Sequence, residues 1–156
     1  MSPMCKAFGA HSAAAAGQFE MANPGFVDAI LNWRWAGWLA RLMLVSAYLL
    51  GGLVKLIDWS GAVAEQAHFG MHPAPAWAAV AIAVELLGSI LILSGRLVWL
   101  GTGMLGVLTL VASLTANAFW DMPAGQERFM ATNSFFEHIG LIGGLILVAI
   151  MEKQRV

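Results

Sequence analysis

Residues 74–94 read APAWAAVAIAVELLGSILILS, a run of 21 residues in which Glu85 is the only ionisable side chain. A helix rises 1.5 Å per residue, so about 20 residues cross the hydrocarbon core of a bilayer, which is about 30 Å thick. Pro73 and Pro75 stand at the start of the run and Gly95 follows its end, where helix boundaries are expected. The run therefore predicts a membrane-spanning helix at Ala74–Ser94.

Three further apolar runs flank this segment, and we predict spans at Trp35–Ile57, Leu97–Phe119 and Phe135–Met151, the last of which is short for a bilayer. The composition agrees, because hydrophobic residues make up 60% of the chain and charged residues 11%, whereas soluble domains carry about 25% charged residues. A length of 156 residues suits one domain. The predicted fold class is an all-α integral membrane four-helix bundle with a short N-terminal interfacial helix.

The chain outside the spans divides into short segments. Residues 1–23 form a predicted N-terminal tail, because their broken apolar pattern lacks the core of a cleaved signal peptide. In residues 24–34, apolar and Trp residues at helical spacing predict an interfacial helix. Residues 35–151 form the four-helix domain, and residues 152–156 form a C-terminal tail.

The basic residues indicate an orientation in the membrane. Four spans put both termini on one side, together with Lys6, Arg34, Arg96, Lys153 and Arg155. The positive-inside rule then predicts that both termini are cytoplasmic, in the inner membrane of a bacterium. Lys and Arg number 8 against 9 Asp and Glu, so there is no basic excess that would indicate nucleic-acid binding.

Several cofactor classes have no motif in this chain. Cys5 is the single cysteine, which excludes an internal disulfide and an iron–sulfur cluster held by this chain. There is no glycine-rich fingerprint for a flavin. His138 is the only histidine inside a span, so a bis-histidine haem would need another ligand. His68 and His72 would supply only two ligands in a proline-bearing loop, and no metal site is expected.

Ionisable side chains within spans normally face the bundle interior and have partners. Arg41, Tyr48 and Lys55 are spaced by seven residues and therefore share one face of the first helix. Arg41 lies about 9 Å from the cytoplasmic edge and Glu85 about 14 Å, counted at 1.5 Å per residue. We therefore expect a structural ion pair between Arg41 and Glu85, with the Tyr48 hydroxyl as the alternative partner of Glu85.

A second polar group is expected nearer the extracytoplasmic edge. Lys55, Asn117, Glu137 and His138 all lie within about two turns of it, where they would converge with Asp58 and Trp120 into a pocket that opens outward. Each has an ordinary structural interpretation as well. Lys55 would extend to the headgroups, Asn117 would join helices, and His138 would be a hydrogen-bonded packing residue.

The order of these segments resembles the DoxX family of small four-helix membrane proteins over Trp35–Met151. The likeness is carried by Arg41, GGLVK at 51–55, ELLGS at 85–89, Arg96, NAFW at 117–120 and EHIG at 137–140. The resemblance implies an association with membrane redox systems. Relatives include a subunit of a thiosulfate:quinone oxidoreductase and a component of an oxidoreductase complex of oxidative-stress defence.

A quinone fits the predicted polar pocket better than the other redox cofactors. Its carbonyl oxygens would accept hydrogen bonds from the cofactor-binding candidates Lys55, Asn117 and His138, and its ring would stack near Trp120. The catalytic candidates are Glu85, Glu137 and His138, with Glu137 relaying a proton to the outer surface. The hypothesis is thus a subunit or partner of a quinone-linked membrane oxidoreductase.

Two alternatives belong to other functional classes. The chain would be a non-catalytic accessory subunit if its apolar faces dock onto a larger membrane complex or form a homo-oligomer in the bilayer. It would be a small-molecule transporter if its polar interior carries solutes, although four helices alone are few for that task.

Overall fold

The computed structural model describes residues 24–154, and the predicted tail 1–23 lies outside the described residues. Within the described range the regular structure is helical. The helices are α1 (Gly25–Leu31), α2 (Ala36–Ile57), α3 (Trp59–His68), α4 (Ala74–Ser94), α5 (Val98–Ala116) and α6 (Gln126–Lys153), with a short 3-10 helix at Phe119–Asp121.

Four of these helices, α2, α4, α5 and α6, are long and apolar enough to cross a membrane. This confirms the predicted all-α membrane fold, and α4 has the predicted boundaries. Helix α6 begins nine residues before the predicted Phe135, because polar residues continue the helix beyond the apolar run. Helix α5 ends earlier than predicted, at Ala116, because Asn117 leaves the helical conformation with φ −117° and ψ 37°.

Helix α3 occupies the connection between α2 and α4, for which hydropathy alone predicts a loop. Asp58 caps its N-terminus, because the Gly61 backbone N–H donates to Oδ1 of Asp58 at 2.9 Å. This bond and one from the Ser60 hydroxyl lower the pKa of the Asp58 carboxyl. Helix α3 packs against α4 and buries Ala62. The cap therefore fixes a short helix beside the spanning helices.

The chain divides into two compact units, and the first ends at Gly37. Its described part contains α1, whose residues are mostly exposed, and the Arg34 guanidinium lies 4.8 Å from the centre of the Trp35 ring. Helix α1 falls within the range predicted for a helix, residues 24–34.

The second unit begins at Trp38 and has a core built from all four spanning helices. Its buried cluster consists of Val45, Tyr48, Ile92, Val98, Leu105 and Leu145. Helices α4 and α5 lie close together at Gly88 and Gly101, where a Cβ added to Gly101 would lie 2.7 Å from the Gly88 carbonyl oxygen. Small residues at this crossing permit backbone contact, as is common between membrane helices.

Candidate functional site

The polar face of α2 contacts three different helices. Its members Arg41, Tyr48 and Lys55 all turn inward, as their spacing of seven predicts, and each finds a partner on another spanning helix. The three contacts lie at successive levels along α2, two turns of helix apart. Helix α2 is therefore tied to the bundle by polar contacts at both ends and in the middle.

Arg41 forms its ion pair with Glu152 near the end of α6, so the predicted Arg41–Glu85 pair is wrong. The prediction assumed that the spans end at equal depths. In fact Glu85 is level with Gly51, since a Cβ added to Gly51 would lie 3.5 Å from Glu85 Oε2. Arg41 lies ten residues earlier, about 15 Å along α2. That distance exceeds the reach of an arginine side chain.

Tyr48 binds Thr109 on α5, with 2.6 Å between the two hydroxyl oxygens, and is not hydrogen-bonded to Glu85. Thr109 Oγ1 also lies 2.7 Å from the Leu105 carbonyl oxygen, to which it donates. A hydroxyl has one proton, so Tyr48 donates and Thr109 accepts in the contact between them. This buried pair is satisfied without any further partner.

Glu85 forms an ion pair with Lys55 in the interior of the bundle. Lys55 Nζ lies 2.7 Å from Glu85 Oε1. The same nitrogen lies 4.0 Å from Oε2 of Glu65 on α3. Glu85 is buried, and its second oxygen, Oε2, has no hydrogen-bond partner among the described residues. A buried carboxylate oxygen without a donor is costly, because nothing replaces the hydrogen bonds that water would donate to it.

Lys55 and Glu85 line a cavity of about 480 Å³ between α3, α4 and α5. The other wall residues are mainly apolar and include Trp77 and Phe69, with Glu65 at the same polar end as Lys55. Small-molecule sites have this character: a mostly apolar wall and a few placed polar groups. The cavity is therefore the candidate functional site.

A separate polar pair joins α6 to the residue that follows α5. Asn117 Nδ2 lies 3.1 Å from His138 Nδ1, so these two predicted site residues meet. Aromatic rings fill the turn beside them, and Trp120 makes edge contacts with Phe119 and Phe135 at centroid distances of 5.2 and 5.8 Å. The pair connects two spanning helices where their link turns.

The predicted site residues thus fall into two groups. Lys55 and Glu85 line the cavity, whereas Asn117, Trp120 and His138 do not, and the Glu137 side chain is exposed on α6. The expected single pocket that joins Lys55 to Asn117 and His138 is therefore not the arrangement seen in residues 24–154.

Sequence reasoning missed Glu152 and did not place Glu65 in the site. Glu152 carried a usable signal, because it continues the seven-residue spacing of Ala131, His138 and Leu145 along the inner face of α6. Glu65 would have required recognition of α3 as a helix. Its position seven residues after Asp58, the helix cap, then places it on α3 near Lys55.

The comparison with protein families gives one match. The sequence profile of the DoxX family matches residues 37–118, which is more than half of the chain and contains the Lys55–Glu85 pair. No curated protein and no solved structure shows significant similarity to the chain. The chain belongs to the DoxX family, as an integral membrane protein with four membrane-spanning helices.

Proposed function

We propose that the protein is a quinone-binding subunit of a membrane redox system, with the quinone head group held in the cavity between α3, α4 and α5. The observation that carries this proposal is the Lys55–Glu85 ion pair in the wall of a mainly apolar cavity. A quinol hydroxyl would donate a hydrogen bond to the Glu85 carboxylate. The Lys55 ammonium group would donate to the second ring oxygen.

The shape of the neighbouring groove supports a ligand with a long apolar tail. A second cavity of about 1100 Å³ is lined mainly by apolar residues of α5 and α6. Gly103 and Val107 on α5 line both cavities, so the two are adjacent there. An isoprenoid tail would pass Gly103 into this groove while the head group stays beside Lys55. The electron donor and acceptor would come from partner chains.

Quinone titration of the purified protein in lipid nanodiscs tests the proposal. Trp77 lines the cavity, so a bound benzoquinone should quench its fluorescence, and Trp77→Phe should remove that part of the signal. Lys55→Met should abolish saturable binding, and Glu127→Gln, an exposed carboxylate on α6, should leave it unchanged. Loss of binding in Asn117→Ala but not in Lys55→Met would place the quinone at the Asn117–His138 pair and contradict the proposal.

The accessory-subunit alternative is favoured by one feature of α6. Gly140 and Gly143 are exposed, and a Cβ added to either would meet nothing within 4 Å in the described part of the chain. Helices of a partner pack closely on such glycine-bearing faces. If Gly143→Leu releases a co-purifying membrane subunit while quinone binding is absent in the wild-type protein, the accessory function is the correct one.

A further inference from the structure

We infer that Glu85 exchanges protons with the aqueous phase through Lys55 and Glu65, so that the cavity is a proton-exchange site open to the membrane face on which α3 lies. The biological role of this proton exchange rests on the proposed function, since oxidation of a quinol releases protons. Its geometry is independent of any ligand, because all three side chains belong to this chain.

The three side chains form a line from the interior to the surface. Lys55 Nζ lies 2.7 Å from Glu85 Oε1 and 4.0 Å from Glu65 Oε2. The exposed fraction of the side chain rises along this line, from 10% at Glu85 to 21% at Lys55 and 44% at Glu65. Among the described residues that line the cavity, Lys55 is the only charged one between the buried carboxylate and the exposed one.

Proton transfer along this line balances without any other reactant. The Lys55 ammonium first gives a proton to the Glu65 carboxylate, and the resulting neutral amine then takes the proton of protonated Glu85. One N–H bond and one O–H bond break, and one of each forms. The net result is one proton moved from Glu85 to Glu65, with no electron transferred. The 4.0 Å gap to Glu65 is within the range that rotation of the flexible lysine stem closes.

The other titratable groups near Glu85, Tyr48 and Asp58, are hydrogen-bonded to other partners and do not offer a second path for the proton. Tyr48 lies near Glu85 but donates its hydroxyl to Thr109. Asp58 is exposed and accepts from the Gly61 N–H and the Ser60 hydroxyl at the start of α3. Neither group is hydrogen-bonded to Glu85. In the described range 24–154, Lys55 is the residue that both donates a hydrogen bond to Glu85 and approaches a surface carboxylate.

Carbodiimide labelling of Glu85 tests this inference without a quinone. Dicyclohexylcarbodiimide reacts with protonated carboxyl groups in apolar surroundings, and mass spectrometry measures the adduct at Glu85. In sealed proteoliposomes, the labelling rate should follow a pH jump on the Glu65 side within the mixing time. Lys55→Arg keeps the positive charge that pairs with Glu85 but does not release its proton. A relay predicts a response about 100-fold slower in this variant.

Two further variants complete the test. Glu65→Gln should also slow the response, and Glu127→Gln, a matched surface carboxylate, should leave it unchanged. A wild-type response in Lys55→Arg would show that Lys55 is only structural, and labelling that never occurs at any pH would show that Glu85 takes up no proton; either result overturns the inference. If Lys55→Arg does not fold, the exposed Glu65→Gln variant decides. Quinone binding is measured separately, so the two proposals fail independently.

Discussion

Removal of either charge from the Lys55–Glu85 pair should destabilise the bundle strongly. At 2.7 Å, the attraction between unit charges is about 6 kcal/mol for an effective dielectric constant of about 20. Desolvation offsets much of this, so the pair itself contributes far less than that figure. Loss of one partner, however, leaves the other charge buried, and we expect Lys55→Met or Glu85→Gln to cost about 3–5 kcal/mol.

A double-mutant cycle separates this effect from lost packing. The assay is the free energy of unfolding from titration with sodium dodecyl sulfate in mixed micelles, followed by circular dichroism. The double variant should lose less than the two single variants together, by about 2 kcal/mol or more, because neither charge then remains unpaired. Glu127→Gln on the surface should change stability by less than about 0.5 kcal/mol. Additivity of the two single changes would refute the ion pair as a coupled unit.

Three further changes test the packing, the helix cap and the polar contacts. Gly101→Ala should destabilise the bundle by about 1–3 kcal/mol, because its Cβ would lie 2.7 Å from the Gly88 carbonyl oxygen. Gly103→Ala is the control, because a Cβ there would meet nothing within 4 Å, and the unfolding titration compares the two variants. The lowered pKa of Asp58 means that its cap acts above about pH 4 and is lost as the pH falls below that, so amide hydrogen exchange in α3 should accelerate in acid in the wild-type protein but show no such titration in Asp58→Asn. Tyr48→Phe should cost about 1 kcal/mol, because its partner hydroxyl stays bonded to its own helix; a loss near 3 kcal/mol would show that the partner is left unsatisfied.

The spanning helices were predictable from sequence because the bilayer imposes a length and a polarity. Helix α4 matches its prediction at both ends, where prolines and Gly95 interrupt an apolar run. Helix α6 was predicted too short, since hydropathy detects the apolar part of a helix and not its polar extension from Gln126. Helix α3 was missed because its ten residues are neither long nor uniformly apolar, and its clearest signal is the capping residue Asp58.

The sequence was enough to predict which residues belong to the candidate site, but not which of them pair with each other. Lys55 and Glu85 were identified by the cost of charge in a membrane. Their pairing depends on how far α2 and α4 are offset along the membrane normal, and the sequence contains no direct measure of that offset. The close packing of α4 against Gly51 and Gly52 fixes it, and so brings Glu85 within reach of Lys55 and not Arg41.

Distance measurement between Lys55 and a bound quinone tests the proposed site most directly. Lysines occur only at positions 6, 55 and 153, so ¹⁵Nζ-lysine labelling marks Lys55 with little overlap. Solid-state NMR dipolar dephasing against a benzoquinone labelled with ¹³C at its carbonyls should give a separation of about 3–4 Å, a hydrogen-bonded contact. The dephasing should disappear in Lys55→Arg. Its persistence in that variant, or its absence in the wild-type protein at saturating quinone, would contradict a quinone head group beside Lys55 and Glu85.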